Sequence, residues 1–180
     1  MKPSILEHIV CPTCRSDFKL LTKSKLKNEI KEGTLICVKC KDKFKITKGI
    51  PRFVVDVTKD FVRTEMAFSA KWKNHHRNHH AKDWVNWQKN WFLERFDWKS
   101  IGQFNTFLKS QNLILDAGTG IGNSAKMLSI NKSSTVFALD ASDSVDFAYK
   151  KYGTLSNIHF IQADIRQLPF RKTFFDYIFS

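Results

Sequence analysis

Four cysteines stand in two pairs, Cys11-Pro-Thr-Cys14 and Cys37-Val-Lys-Cys40. Two residues between cysteines let both thiolates of a tight turn point at one ion, and a second such pair completes a tetrahedral set of four thiolates, which zinc prefers. The 22 residues separating the pairs suit a short hairpin that brings the two turns together. Two disulfides and a redox Cys-x-x-Cys are the alternatives. Disulfides fit poorly with a start, Met1 to Val10, in which Lys2, Glu7 and His8 interrupt any signal-peptide run. A redox pair would not need a duplicate. A structural zinc on Cys11, Cys14, Cys37 and Cys40 is the expectation. A segment of about 55 residues buries little apolar surface alone, so the metal would supply much of its folding free energy.

A second set of residues with chemical potential begins at Leu113-Ile-Leu-Asp116, a short apolar strand ending on an acid. The tight turn Ala117-Gly-Thr-Gly-Ile-Gly122 follows. Glycines there allow close approach of a ligand to backbone N–H groups at a helix N-terminus. Asp140 ends a second strand, Ser134–Asp140, 20 residues after Gly120, at a place where a carboxylate can accept both ribose hydroxyls. Asp164 ends a third, Ile158–Asp164, and is followed by Ile165 and Gln167-Leu-Pro-Phe170. Three acids in register with one glycine turn predict a nucleotide-type ligand, a dinucleotide being one option.

The elements needed to position these acids alternate. Helices are expected over 123–130 and 143–152, the second closed by Gly153 in a left-handed position, and a fourth strand begins at Phe174. Strands alternating with helices imply a parallel, doubly wound sheet with its ligand at the carboxyl ends of the strands. The expected fold class is α/β: a small zinc ribbon over 1–58, an aromatic-rich helical connector over 59–110, and a Rossmann-like parallel sheet over 111–180.

The 180 residues carry a formal charge of +13, distributed as +7 over 1–60, +5 over 61–110 and +1 over 111–180. A basic N-terminal region can steer a protein toward RNA, DNA or anionic lipid, and it also serves as a plain solvated surface. The lysines at 23, 25, 27, 39, 41, 43 and 45 are mostly spaced by two, which on a strand places them on one face. Hydrophobic residues make up 42% of the chain, enough for a packed core, and no apolar run reaches the ~18–20 residues needed to cross a bilayer. A cytoplasmic protein is expected.

All five tryptophans lie in the connector. Trp84, Trp87 and Trp91 fall on one helical face, which reads as a stripe packing on the next domain or as a stacking platform for a ring. His75/His79 and His76/His80 are i, i+4 pairs able to hold zinc or nickel, but they point about 100° apart on a helix and no carboxylate lies among them. They read as a solvated polar segment rather than as ligands.

The two cysteine pairs together with the exit Phe44-Lys-Ile-Thr-Lys-Gly-Ile-Pro-Arg-Phe53 resemble the zinc ribbon of small tRNA-methyltransferase activator proteins, a ribbon also found fused in front of methyltransferase domains. Within that exit, Gly49 permits a turn and Pro51 is read as ending strand pairing. The order Asp116-x-Gly-x-Gly-x-Gly, Asp140, Ala163-Asp164 resembles class I methyltransferases that use S-adenosylmethionine, the type-11 small-molecule group in particular. Dinucleotide dehydrogenases have Gly-x-Gly-x-x-Gly, and here the third glycine comes one residue early. Phe68-Ser-Ala-Lys-Trp72 and Phe92-Leu-Glu-Arg-Phe96 precede the turn as in ribbon-fused members.

That resemblance implies a bound S-adenosyl-L-methionine. Gly118 and Gly120 would face its methionine end with Asp116 in support, Asp140 would hold the ribose, and Asp164 and the Ile165 backbone would contact the adenine. The chain supplies about four of the family's seven strands, stopping at Phe174-Phe-Asp-Tyr-Ile-Phe-Ser180. A truncated methyltransferase, inactive alone, is therefore expected, with the loop that carries catalytic residues missing and no catalytic residue assignable. With all four cysteines committed to zinc, a cysteine-nucleophile mechanism has no candidate. A small-molecule acceptor fits the type-11 resemblance, and RNA fits the basic N-terminal region. A non-enzymatic ribbon adaptor for a partner protein or RNA is the alternative reading.

Overall fold

The computed structural model describes residues 1–54 and 90–180. Of the connector readings, the histidine cluster, Phe68–Trp72, Trp84 and Trp87 lie outside the described residues.

A 3₁₀ turn, Pro3–Glu7, leads into an antiparallel sheet of β1 (Phe18–Leu26), β2 (Glu29–Cys37), β3 (Lys43–Thr47) and β4 (Ile50–Pro51), in that order. Alternation sets its inner face. Leu20, Leu35 and Phe44 stand opposite one another across three strands. In β3, Phe44 and Ile46 are buried while Lys43 and Lys45 are exposed, the period-two pattern of a half-buried strand. The other lysines of the run do not share that face. Lys27 takes a positive φ of 52° beside the hairpin turn, a register irregularity lies between Thr22 and Lys25, and Lys39 and Lys41 sit in the turn around Cys40.

Helical residues 90–95 and α1 (Ile101–Leu108) precede β5 (Leu113–Ala117), α2 (Asn123–Leu128), β6 (Thr135–Asp140), α3 (Ser144–Tyr152), β7 (Ile158–Gln162), a 3₁₀ turn (Ile165–Gln167) and β8 (Tyr177–Phe179). These strands form one parallel sheet, β7-β6-β5-β8. Ser100 caps α1 by accepting from the Gln103 amide, which satisfies one of the N–H groups a helix start leaves unpaired. Gly153 is not in the left-handed region expected for it: its φ is −63°. Space explains the glycine instead, because a Cβ there would run into the Tyr149 carbonyl oxygen and ring.

Side chains alternate across the parallel sheet. Ile114, Val136, Ala138, Ile158 and Phe160 pack with Phe92, Phe104 and Leu108 and with Ala125, Leu128, Val145 and Ala148 of the helices. Leu115, Phe137, Leu139 and Ile161 enter a second core whose other half is the ribbon: Met1, Ile5, Ile9, Leu35, Phe44, Ile46 and Phe53. Among the described residues, one face of the sheet is covered by helices and the opposite face by the ribbon. Trp91 is 45% exposed and meets Phe96 edge-on, so the neighbouring Phe92, not Trp91, carries this segment into the core.

The ribbon also covers the β7 edge. Pairing does not stop at Pro51, which faces Ile46 within the ribbon sheet; Arg52 forms a parallel bridge to Gln162, and the Phe53 amide donates to the Gln162 carbonyl at 2.7 Å. Lys2 Nζ donates to the carbonyls of Leu155 and Ile158. Glu29 accepts from Lys31 Nζ and from the Tyr149 hydroxyl, each at 2.7 Å, fastening β2 to α3. By contrast, the exposed pair Arg171–Asp17 adds little, as solvated ion pairs generally do.

Candidate cofactor site and four-cysteine centre

Parallel strands place the ends of β5, β6 and β7 side by side, so Asp116, Asp140 and Asp164 arrive at one rim of the sheet. Asp116 pairs in register with Ala138 and Phe179 and is buried. It accepts a hydrogen bond from Ser124 Oγ at 2.8 Å, at the start of α2. Burial, with a smaller push from the Asp140 charge, raises its pKa to about 6 against the pull of the Ser124 donation. The Thr119 hydroxyl beside it also favours the carboxylate, yet Thr119 Oγ1 is buried and makes no hydrogen bond of ordinary geometry among the described residues.

The glycine turn is tied to β6 at three points. The amides of Gly118 and Thr119 donate to the Leu139 carbonyl at 2.8 and 2.9 Å, and the Gly120 amide donates to Asp140 Oδ2 at 2.7 Å. Gly118 has a φ of 87°, and nothing stands within 4 Å of the place a Cβ would occupy. Gly122 is different: at φ 84° its Cβ would come within 2.9 Å of Ala148 Cβ, so this glycine serves the approach of α2 to α3.

Asp140 Oδ1 accepts from the Ser142 amide at 2.8 Å and the Ser142 hydroxyl at 2.6 Å. A carboxylate offers about four acceptor sites, and three are taken, which leaves room on Oδ2 for one further donor. Asp164 caps the 3₁₀ turn through the Arg166 amide at 2.8 Å, and its carboxylate is clasped by the Arg166 guanidinium at 2.6 Å. That contact holds its pKa below the usual carboxylate range. The Ile165 side chain beside it is 61% exposed. All six residues singled out in the sequence, Asp116, Gly118, Gly120, Asp140, Asp164 and Ile165, therefore lie along this rim. Ser124, Thr119 and Ser142 were not anticipated. The one signal for Ser142 was its position two residues after Asp140, a spacing at which Asp holds a backbone N–H in an Asx turn.

A tightly turned backbone beside open space, an orphaned buried hydroxyl and a carboxylate with spare acceptor capacity fit a polar ligand with ribose-like hydroxyls. S-adenosylmethionine meets that description.

At the other end of the ribbon, the sulfurs of Cys11, Cys14, Cys37 and Cys40 all lie within 4.8 Å of one another. Cys11–Cys40 and Cys14–Cys37 are 3.6 and 3.3 Å apart. Zinc at ~2.3 Å from each of four tetrahedral sulfurs would space them by roughly 3.8 Å, so the cluster closes around one such ion with small adjustment. The four are free thiols rather than disulfides. The Ser16 backbone N–H and hydroxyl bring the Cys14 thiol down to about 6, whereas burial raises the Cys11 thiol and, against the pull of the Asp42 amide, the neighbouring sulfurs raise that of Cys40, so a metal bound here would displace protons from the cluster.

Comparison with known proteins follows the same division. Residues 114–180 match the methyltransferase domain family, and residues 2–49 match the Trm112p-like protein family. The chain is 36% identical over 85 residues to the ubiquinone/menaquinone biosynthesis C-methyltransferase UbiE of Wigglesworthia glossinidia brevipalpis, an overlap of 44% of this chain and 34% of that protein. It thus spans about a third of the length of that curated relative. Similar solved structures include a SAM-dependent methyltransferase from Aquifex aeolicus (22% identity, TM-score 0.39, covering 53% of this chain and 54% of that one). Another is the plantazolicin methyltransferase BpumL in complex with SAH (19% identity, TM-score 0.37, 67% and 48%). A segment similar to the Trm112p-like proteins thus precedes one similar to the methyltransferase domain family, and the second coincides with the parallel sheet that carries the glycine turn.

Proposed function

We propose that this ribbon-fused methyltransferase domain serves S-adenosylmethionine-dependent methyl transfer to a small-molecule acceptor. The observation that carries the reading is the Gly120–Asp140 hydrogen bond, which couples the glycine turn to the acid ending the next strand within a segment matching the methyltransferase domain family. When bound, the cofactor supplies an electrophilic methyl carbon on its sulfonium. The chain's part is to bind and orient. Gly118 and Gly120 offer a backbone surface for the methionine end, with Asp116 beneath them held by Ser124. Asp140 Oδ2 accepts from the ribose, while Asp164 and the Ile165 backbone meet the adenine, Arg166 yielding part of its hold on Asp164. Methyl transfer is an in-line displacement, so fixing the geometry supplies much of the acceleration.

The relative's name places its reaction in ubiquinone/menaquinone biosynthesis, and this supports a small-molecule acceptor here. A structural zinc on Cys11, Cys14, Cys37 and Cys40 belongs to the same proposal, supported by the spacing of the sulfurs. The test is calorimetric titration with S-adenosylhomocysteine. Saturable heat at about one site per chain supports the proposal, and its absence from folded protein overturns it in favour of a ribbon adaptor.

RNA as acceptor has one observation in its favour. On the outer ribbon face, Lys19 and Lys43 flank Ile36, and Leu21 and Lys45 flank Thr34. Lys19, Lys43 and Lys45 have no ion-pair partner among the described residues. RNA affinity that falls steeply with salt and is lost on replacing these lysines would select this acceptor class; salt-insensitive or absent binding selects the small molecule.

A further inference from the structure

Arg52, the last ribbon residue to pair, reaches the parallel sheet with its side chain as well as its backbone. Its Nη1 donates to Gln162 Oε1 at 2.8 Å and to Asp146 Oδ2 at 3.0 Å, and its Nη2 donates to Asp146 Oδ1 at 2.9 Å. The Thr47 carbonyl, within the ribbon, accepts from Nη2 at 3.4 Å. Gln162 passes the contact on: its Nε2 donates to the Ala141 carbonyl at 3.0 Å and to Asp143 Oδ1 at 3.4 Å. Ala141 follows Asp140, and the next residue, Ser142, holds Asp140 Oδ1 through both its amide and its hydroxyl. Ser142 is held in turn by the Ser144 hydroxyl. One guanidinium from the ribbon therefore anchors the turn 140–146 at both ends, at Ala141 through Gln162 and at Asp146 directly.

The pair is shielded, with side-chain exposures of 18% for Arg52 and 26% for Asp146. Bidentate, charge-assisted bonds of this kind hold geometry more tightly than solvated pairs do. The turn needs such support because its own bonds are local. The backbone of Asp140 is already set on β7, by its pairing with Gln162 and by the Ala163 amide donating to its carbonyl at 3.1 Å. Its carboxylate is oriented by Ser142 and Ser144, and the turn that carries them meets β7 through Gln162.

We propose that Arg52 is a positioning residue for the ribose-side carboxylate. Through Gln162 and Asp146 it sets the turn whose Ser142 orients the Asp140 carboxylate, so that docking of the ribbon tunes affinity at the cofactor rim. This rests on the cofactor reading given above. Arg52 touches no ligand in the proposal and acts only through the turn.

The experiment uses the full 180-residue chain with its metal. Arg52→Met keeps the aliphatic stem and removes the guanidinium, and Asp146→Asn removes the charge of its partner. Two readouts are taken: S-adenosylhomocysteine affinity by calorimetry, and amide hydrogen exchange without ligand. Disturbing residues along a coupled contact chain changes affinity by roughly 2- to 30-fold, so a loss in that range is expected for both variants, with partial recovery in Arg52→Lys. Exchange should rise at Gly120 and over 141–146, while the ribbon strands β1–β3 keep their protection.

Unchanged affinity and unchanged exchange in Arg52→Met, with the wild type binding normally, overturn the proposal and leave the cofactor reading intact. Exchange that rises equally in the ribbon strands also overturns it, since Arg52 would then be only a docking contact. If the wild type shows no binding heat, the cofactor reading fails by itself, and local exchange at Gly120 and 141–146 still decides whether Arg52 positions the turn.

Discussion

The amide of Gly120 donates to Oδ2 of Asp140 across 2.7 Å, joining the turn after β5 to the acid that ends β6. Neither group is free to move without the other, and the Ser142 amide and hydroxyl fix the second carboxylate oxygen. Asp140→Ala would remove both the proposed ribose acceptor and the partner of two backbone N–H groups. With charge-assisted hydrogen bonds worth about 1.5–3 kcal/mol each, S-adenosylhomocysteine binding should weaken by roughly 10²-fold. Calorimetry on the variant checks this, and an unaltered dissociation constant would remove Asp140 from the ribose role.

Asp116 is a buried acid whose pKa is raised to about 6, first by burial. A raised carboxyl means the folded state holds its proton more firmly than the unfolded one, so stability falls as pH rises from the unfolded value near 3.8 to about 6. At neutral pH the charged form is a liability of roughly 2–3 kcal/mol. Asp116→Asn should therefore leave the urea midpoint at pH 7 unchanged or higher, while cofactor affinity drops. A lower midpoint at pH 7 would contradict the assignment.

His159 carries the opposite slope. Its ring is buried against Phe137 at 5.3 Å, and its pKa is lowered to about 3 by burial, with the positive charges of Lys2, His8 and the N-terminus adding to the effect. The unfolded chain takes up a proton below about 6.5 that the folded one refuses down to about 3. Stability is then lost as pH falls through that window, by up to ~1.4 kcal/mol per pH unit. Unfolding midpoints of wild type and His159→Leu at pH 7 and pH 5 test it; the variant should show the shallower loss.

These sites differ in how readily they could be read from the chain. The acids, the glycine turn and the cysteine pairs were legible because each depends on neighbours a few residues away: an apolar run ending in Asp116, or two cysteines on one tight turn. What escaped was non-local. Tyr149 meets Glu29 and Lys31 across more than a hundred residues, and Arg52 meets Asp146 across 94. No periodicity announces such pairs. Trp91 and Phe92 show the limit within a helix: a tryptophan stripe pointed to Trp91 as the packed residue, but the ring that enters the core is Phe92, one position and about 100° further round.

The Glu29–Lys31–Tyr149 group fastens β2 to α3, with the Tyr149 hydroxyl donating to Glu29 and accepting from Lys31 at 2.8 Å. Tyr149→Phe keeps the ring and removes both bonds. A loss of about 1–3 kcal/mol is expected, since each partner is left half-buried and under-satisfied. Chemical denaturation measures it; no change would mean that the ring alone docks the ribbon.

Removal of the metal should reach further than the ribbon. About one zinc per chain is expected, and structural zinc supplies folding free energy outright. Cys11 and Cys37 belong to the same buried cluster as Phe137, Leu139 and Ile161 of the parallel sheet. Chelation followed by hydrogen exchange should therefore expose amides of β6 and β7 along with those of β1–β3. Loss confined to the ribbon strands would show that the sheet holds without it.

That shared core also imposes an order of events on synthesis. The ribbon leaves the ribosome first, yet its inner residues Leu35, Phe44 and Phe53, which meet one another and Phe18 within the ribbon, complete their burial only once β6, β7 and Phe170 have been made. Over the intervening stretch of chain, at about 5–20 residues per second, the nascent ribbon waits on the order of ten seconds with an apolar face uncovered. Early capture of a metal ion by the four thiolates would keep that half-built face in shape through the delay, and metal supply during translation would then be a determinant of yield.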